Sequence, residues 1–293
     1  MIVDFRLKVF ICVARHLNFT RAAQELLISQ PAVTNHISEL ERQTGLMLFS
    51  RRGRGIQLTA EGSRMLEHAE RIFADYRAMD EDLAALAGQR RGQLTIGAST
   101  SIAQYLLPPI LARFNRRYPD VDVQLLSENT ENIEQMLLSE RVDLGMIEGS
   151  SSRAGFVYDD FRTDAIVLVA DGRRAVAPQT PQTLVQQPLV MRENGSGTLE
   201  VVMGALRQSG LRPADLRVVM RIDSTEGIKR YVQNSDAMAF VSRLTIENEL
   251  KLGLLQVVPT EGIDIGRTLH YVRLQGKSSK LIDCFVQFAN AGR

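Results

Sequence analysis

Three short stretches place hydroxyls and glycines where a strand would run into a helix. They are Ala98-Ser99-Thr100-Ser101, Glu193-Asn194-Gly195-Ser196-Gly197-Thr198 and Asp223-Ser224-Thr225. The first N–H groups of a helix have no partner in the helix, and its positive end favours negative charge. Hydroxyls beside them complete a seat for a small anion with neutral arms. A single such stretch usually does no more than cap its own helix. The first two, falling in separate halves of one α/β region, point together to a ligand. Ser99, Thr100, Ser101, Gly195, Ser196, Gly197, Thr198 and Ser224 are the candidate contacts. With few cationic side chains nearby in sequence, shape and hydrogen bonds would set selectivity. Glu148 complicates this seat, because a carboxylate facing it repels an anion unless it bonds a ligand hydroxyl or pairs with Arg192. Its plainer role is a solvated residue at a hinge.

Catalytic chemistry finds no foothold. His16, His36, His68 and His270 are scattered and form no HExxH or other metal-ligand spacing. Gly195-Ser196-Gly197 lacks both the G-x-S-x-G elbow and the lysine of a P-loop, and no GxGxxG follows a strand. No catalytic residue, metal or cofactor is expected. The two cysteines, Cys12 and Cys284, stand at opposite ends of the chain. Cys12, within VFICVARHL, reads as a small core residue, and no disulfide is implied.

The elements that must position the hydroxyls follow from hydropathy rhythm. QLTIGA, the helix IAQYLLPPILARFNRRY, VDVQLLS, the helix NIEQMLLSE and VDLGMIE alternate as βαβαβ, which implies a parallel sheet. AIVLVA, PLVMR, TLEVVMGALRQSG, RVVMRI, STEGIKRYVQN and AMAFVS form a second set. IGRTLHYVRLQ and SSKLIDCFVQFAN return to the first. The expected domain spans 92–293, with one lobe at 92–162 and 267–293 and the other at 163–266. Open sheets of this kind bind ligands beyond their carboxyl ends.

Ahead of it, three short helices precede a basic hairpin. Asn18 caps the second, Ser29 and Pro31 start the third, and Gly45 ends it. Residues 1–62 therefore read as a winged helix-turn-helix, whose third helix can enter a major groove. Nine Lys/Arg against five acids over residues 1–64 make a basic head on a chain whose overall formal charge is +1. Between the domains, 63–91 forms one helix ending in a polar hinge at Gly88, Arg90, Arg91 and Gly92. Met65, Ala69, Ile72, Tyr76, Met79, Leu83 and Leu86 are spaced alternately four and three, an a/d seam of about three heptads. A helix lying on its own core shows the same spacing. The position between two domains favours a dimer seam, with Ala69, Ile72, Tyr76, Met79, Leu83 and Leu86 as its contacts.

The segment FTRAAQELLISQPAVTNHISELERQTGLMLFSRRGRGIQLTAEG closely resembles the DNA-binding region of LysR-type transcriptional regulators. It follows the pattern A-A…L…SQPAV…I..LE…G..LF.R…LT..G, and the rest of the chain has that family's length and two-lobe layout. The resemblance implies a periplasmic-binding-protein-like (type II) domain with its ligand, an effector, between the lobes. It carries the recognition positions onto Gln30, Thr34, Asn35 and His36, with Ser29 and Pro31 at the start of that helix. Thr20 and Arg21 take the backbone-contacting positions, and Arg51, Arg52 and Arg54 the wing. The chemistry suits these roles: glutamine and asparagine can bond adenine in bidentate fashion, and arginine holds phosphate. RENGSGTLE and ASTSIAQYLLP look most like regulators of sulfur or carbon assimilation.

The expected protein is an effector-responsive regulator, with a small anion as effector and promoter DNA as partner. The family also implies a homodimer, becoming a homotetramer on DNA, and RNA polymerase is a candidate further partner. The start, MIVDFRLKVF, does not read as a signal peptide. No apolar run approaches ~18–20 residues, so no membrane is involved and the cytoplasm is the expected location. Two rivals stay open: a DNA-binding regulator with a vestigial cleft, and a solute-binding protein or enzyme with a helical head.

Overall fold

The structure, a computed structural model, describes residues 4–52, 55–86, 91–149, 153–277 and 279–291. It divides into two compact units that meet in sequence at Gly92 and Gln93. In the first unit α1 (Phe5–His16), α2 (Phe19–Leu26) and α3 (Gln30–Thr44) precede the hairpin β1 (Phe49–Arg52) and β2 (Gly55–Leu58), then α4 (Ala60–Leu86).

Local chemistry sets these boundaries. Asn18 Oδ1 accepts from the N–H groups of Thr20 and Arg21, and Ser29 Oγ from that of Ala32. Gly45 closes α3 at φ 69°, donating its N–H to Glu41 at 2.8 Å. The core gathers Phe10, Val13, Ala22, Val33, Ile37 and Leu48. A Cβ on Gly62 would lie 2.0 Å from the Leu48 carbonyl oxygen, so only glycine lets α4 start against β1.

The helix after the wing begins at Ala60, ahead of the expected residue 63. Its first turns correct the seam reading. Ala69 is 1% exposed inside the head's own core, with Met65, Leu66 and Phe73 packed on the same cluster. Further along, Ile72, Met79 and Leu83 stand 44%, 44% and 56% exposed. Tyr76 is half-buried, edge-on to Phe73. The Leu86 side chain, Gly88 and Arg90 lie outside the described residues.

The second unit runs β3 (Gly92–Ser99), α5 (Leu107–Arg117), β4 (Val121–Glu128), α6 (Thr130–Leu138), β5 (Leu144–Glu148) and the 16-residue β6 (Phe156–Asp171). Then follow α7 (Pro181–Leu184), β7 (Leu189–Met191), α8 (Gly197–Gln208), β8 (Val218–Arg221), α9 (Thr225–Val232) and β9 (Met238–Ser242). The unit ends with α10 (Glu247–Lys251), β10 (Leu255–Val257), β11 (Gly266–Leu274) and α11 (Lys280–Ala291). Ahead of α5, Ile102–Leu106 forms a π turn in which Leu107 N–H reaches the Ile102 carbonyl. Pro108 and Pro109 lack the N–H groups that would continue ordinary helical bonding there.

The strand order is β4-β3-β5-β11-β6-β9-β7-β8, with β10 beside β6. β3 runs parallel to β5, and β7 parallel to β8 and β9. The sheet is mixed because β6 and β11 run antiparallel to each other and to their outer neighbours. β6 pairs β11 over Phe156–Ala165 and β9 over Ile166–Val169, so one strand belongs to both lobes. One lobe packs Ile96, Ile102, Phe114, Phe161, Tyr271 and Phe285. The other packs Leu168, Leu189, Leu206 and Phe240 on one face and Val169, Ile228 and Val241 on the opposite face.

Candidate functional site

β3 and β5 end beside each other and deliver Ser99 and Glu148 to one point, to which β7 and the start of α8 bring Thr198. Glu148 is not solvated there. It is 1% exposed, and its carboxylate accepts from Ser99 Oγ and, at 2.7 Å, from Thr198 Oγ1. Its charge partner is Arg267, with Nη1 at 3.3 Å, whereas Arg192, the partner considered from sequence, pairs with Glu193. Arg267 stands on β11 and also meets Asp164 of β6 at 2.7 Å and donates to Thr198 Oγ1 at 2.8 Å. Glu148, Arg267 and Asp164 thus bind the end of β5, the shared strands and α8 into one buried network. A buried charge of this kind is tolerable only when paired and hydrogen-bonded.

The close approach depends on glycine. A Cβ on Gly197 would fall 2.2 Å from the Glu148 carbonyl oxygen and 2.6 Å from Thr130 Oγ1. Gly195 takes φ +83°, and a Cβ there would sit 2.8 Å from Glu131 Oε2.

Beside this network lies a second polar group. Arg192, 5% exposed, is held by Glu193 at 2.8 Å, and its Nη2 donates to Thr100 Oγ1 at 3.4 Å. Ser101 is 6% exposed at the head of the π turn, and its side chain makes no capping bond. Ser196 caps α8 through Leu199 N–H, and Ser224 caps α9 through Gly227 N–H. The candidate hydroxyls therefore separate by occupation. Ser99 and Thr198 serve Glu148, Ser196 and Ser224 cap their helices, and Thr100 and Ser101 lie beside a buried guanidinium.

The expectation of few cations is corrected, since Arg192 and Arg267 are both buried here. Arg267, in IGRTLHYVRL, was missed; an arginine opening a strand that is otherwise apolar on alternate positions was the available signal. A further group also escaped. Lys229, its side chain 4% exposed, lies 2.6 Å from Glu226 and 2.8 Å from Glu249 and donates to Tyr105 Oη at 2.9 Å. The Tyr105 hydroxyl in turn donates to Glu226, so α9 is tied to the π turn beside a pocket of about 380 Å³.

In the head, Gln30 and Asn35 are exposed on α3, as are Ser29 and Pro31 at its start and Thr20 and Arg21 on α2. Gln30 Nε2 donates to Thr34 Oγ1 at 3.1 Å, which presents both as one polar edge. The His36 ring packs edge-on against Phe5 at 5.4 Å. Arg51 is exposed on β1 opposite Ile56. The Arg52 side chain and Arg54 lie outside the described residues.

A capped helix-turn-helix with a wing, joined in one chain to two α/β lobes built on crossing strands, defines a ligand-responsive DNA-binding regulator. Residues 5–63 match the model of the bacterial regulatory helix-turn-helix proteins of the lysR family, and residues 87–292 that of the LysR substrate binding domain. The chain belongs to the LysR family of transcriptional regulators and is not an enzyme. It is 32% identical to the RuBisCO operon transcriptional regulator of Allochromatium vinosum, over 93% of this chain and 90% of that one. Full-length CbnR, solved in complex with its target DNA, shares the fold with a TM-score of 0.72 at 20% identity, over 99% of this chain and 100% of that one. The regulatory domain of Synechocystis PCC6803 CcmR, solved with 2-PG, gives 0.62 at 23%, over 68% of this chain and 96% of that one. Among the described residues no helix is long and apolar enough to cross a membrane.

Proposed function

We propose that this regulator responds to a small anion held by Thr100, Ser101 and Arg192 between its lobes, and that it needs no cofactor. The observation that carries the reading is Arg192, a buried guanidinium aimed at a hydroxyl on the first turn after β3. Fixed N–H groups, a hydroxyl pair and a planar cation together recognise a carboxylate, phosphate or sulfate group. Glu148 opposes such an anion less than a free carboxylate would, because it is turned to Arg267, whose guanidinium it shares with Asp164. That CcmR was solved with 2-PG, an effector-sized ligand on the same fold, supports the class of ligand.

The head binds promoter DNA through Gln30, Thr34 and Asn35 on base edges and through Thr20, Arg21 and Arg51 on the backbone. Self-association through the exposed part of α4 would bridge two half-sites. The A. vinosum relative makes a carbon-assimilation operon the first target to test, and a DNA-binding regulator of this kind works in the cytoplasm.

Calorimetry on the full chain with phosphate, sulfate and 2-PG tests the ligand assignment. Thr100→Val should cost about 1.5–3 kcal/mol, or ten- to a hundredfold in affinity, for the anion that binds. Binding by none of the three, or binding indifferent to Thr100→Val and Arg192→Gln alike, sinks the assignment.

A further inference from the structure

The helix-turn-helix head carries a cluster that neither DNA reading nor ligand response uses. Cys12 and His16 stand four residues apart on α1 and so share one face of that helix. α1 ends at Leu17, in the left-handed region at φ 46°, and α2 starts two residues later from the Asn18 cap. This tight reversal lays Glu25 of α2 against the same face. The Cys12 Sγ, one imidazole nitrogen of His16 and one Glu25 carboxylate oxygen all lie within 4.8 Å of one another. His16 Nε2 and Glu25 Oε2 are 2.5 Å apart, and the Cys12 thiol is 3.8 Å from the Ala22 carbonyl oxygen.

We propose that Cys12, His16 and Glu25 form a site for a divalent metal ion of zinc type, clamping α1 to α2 inside the DNA-binding head. One sulfur, one imidazole nitrogen and one carboxylate oxygen are the donors that zinc takes, with the fourth tetrahedral position left to water. Ligand distances of about 2.0–2.3 Å put neighbouring donors of a tetrahedral ion roughly 3–4 Å apart, so rotations of the His16 and Glu25 side chains complete the set. The charges match: a dication, a thiolate, a carboxylate and a neutral imidazole sum to zero, which suits a thiol that is 4% exposed. Entry is open on one side, where the Glu25 and His16 side chains are 57% and 33% exposed. As the metal–sulfur bond forms, the Cys12 proton leaves for solvent, and uptake of the ion therefore releases acid.

His16 and Glu25 hydrogen-bond each other without a metal, so that contact alone does not require one. What points to a metal is the third donor at the same place, since the thiol, the imidazole and the carboxylate converge within 4.8 Å and together make up a zinc donor set. The full chain, stripped with chelator, would be titrated with cobalt(II) as a coloured substitute for zinc. The expected result is one ion per chain, with tetrahedral visible bands, a thiolate charge-transfer band, and displacement of both by zinc.

Cys12→Ser should abolish the charge-transfer band and Cys284→Ser should keep it. His16→Gln, at a half-buried position outside the core cluster, should weaken cobalt binding roughly tenfold or more. Absence of the band from the wild-type chain, or its persistence in Cys12→Ser, overturns the proposal. An affinity unchanged in His16→Gln overturns it as well, whether or not Cys12→Ser folds.

Discussion

Glu148 and Arg267 meet at 3.3 Å with only 1% of either side chain exposed, and Asp164 shares the same guanidinium. Two carboxylates around one cation make the arginine indispensable to the network. Arg267→Met should lower stability by about 3–5 kcal/mol in denaturant unfolding, because it leaves buried anions without a counter-charge. Adding Glu148→Gln to that variant should restore part of the loss, a non-additivity expected of residues in one network. Thr198→Val should likewise cost stability rather than anion affinity. A loss under ~1 kcal/mol for Arg267→Met would mean the carboxylates are not held as charges.

DNA recognition separates into readout and grip. Gln30→Ala should lose ~1–3 kcal/mol at a cognate site and relax discrimination at one base. Arg51→Ala should weaken all sites alike and flatten the salt dependence by about one unit. Fluorescence anisotropy at several salt concentrations distinguishes the two. If Arg51→Ala changed base preference and Gln30→Ala did not, the docking would have to be redrawn.

α4 serves two surfaces, and substitutions should report the division. Ile72→Asp places a charge on the exposed apolar stripe, so light scattering should show mass falling towards the monomer while the head stays folded. Ala69→Leu overfills the head core and should cost about 1–3 kcal/mol with the oligomer unchanged. Equal effects of both on mass would return Ala69 to the seam.

Burial, followed by the nearby Glu25 carboxylate, pushes the Cys12 thiol from its ordinary 9 up to about 11. Since the folded value is the higher one, the unfolded chain loses its proton first as pH rises. The stability held by the protonated thiol is complete below pH 9 and falls away towards about 11. Thermal melts of the chelator-treated chain should show an alkaline decline across that window. In Cys12→Ala the decline should be shallower, and equal slopes would mean that the thiol is not responsible.

Much of the head was legible because its signals are local. Asn18, Ser29, Pro31 and Gly45 each act within four residues, and the structure uses Asn18, Ser29 and Gly45 as caps. The seam was half legible, since apolar residues spaced four and three describe both a partner-facing stripe and a core-facing one. Spacing alone cannot say that Ala69 turns inward while Ile72 does not. The cleft was the least legible. Hydroxyl-rich junctions mark helix starts, but which hydroxyls remain for a ligand depends on where Glu148 and Arg267 meet across the sheet. The first half of β6, ahead of AIVLVA, escaped for a related reason: Asp159 and Asp160 break its apolar run, and their partners Arg273 and His270 lie on the far-off β11.

The inward turn of Ala69 has a mechanical consequence. Because the opening turns of α4 are part of the head's interior, the head cannot swivel freely on that helix. Its orientation is keyed to the angular phase of the stripe at Ile72, Met79 and Leu83. An α-helix advances ~100° per residue, so one residue inserted between Tyr76 and Met79 would turn the head by roughly that angle relative to the distal stripe. Two such heads would then meet DNA out of step with its groove, with every base-reading side chain still in place.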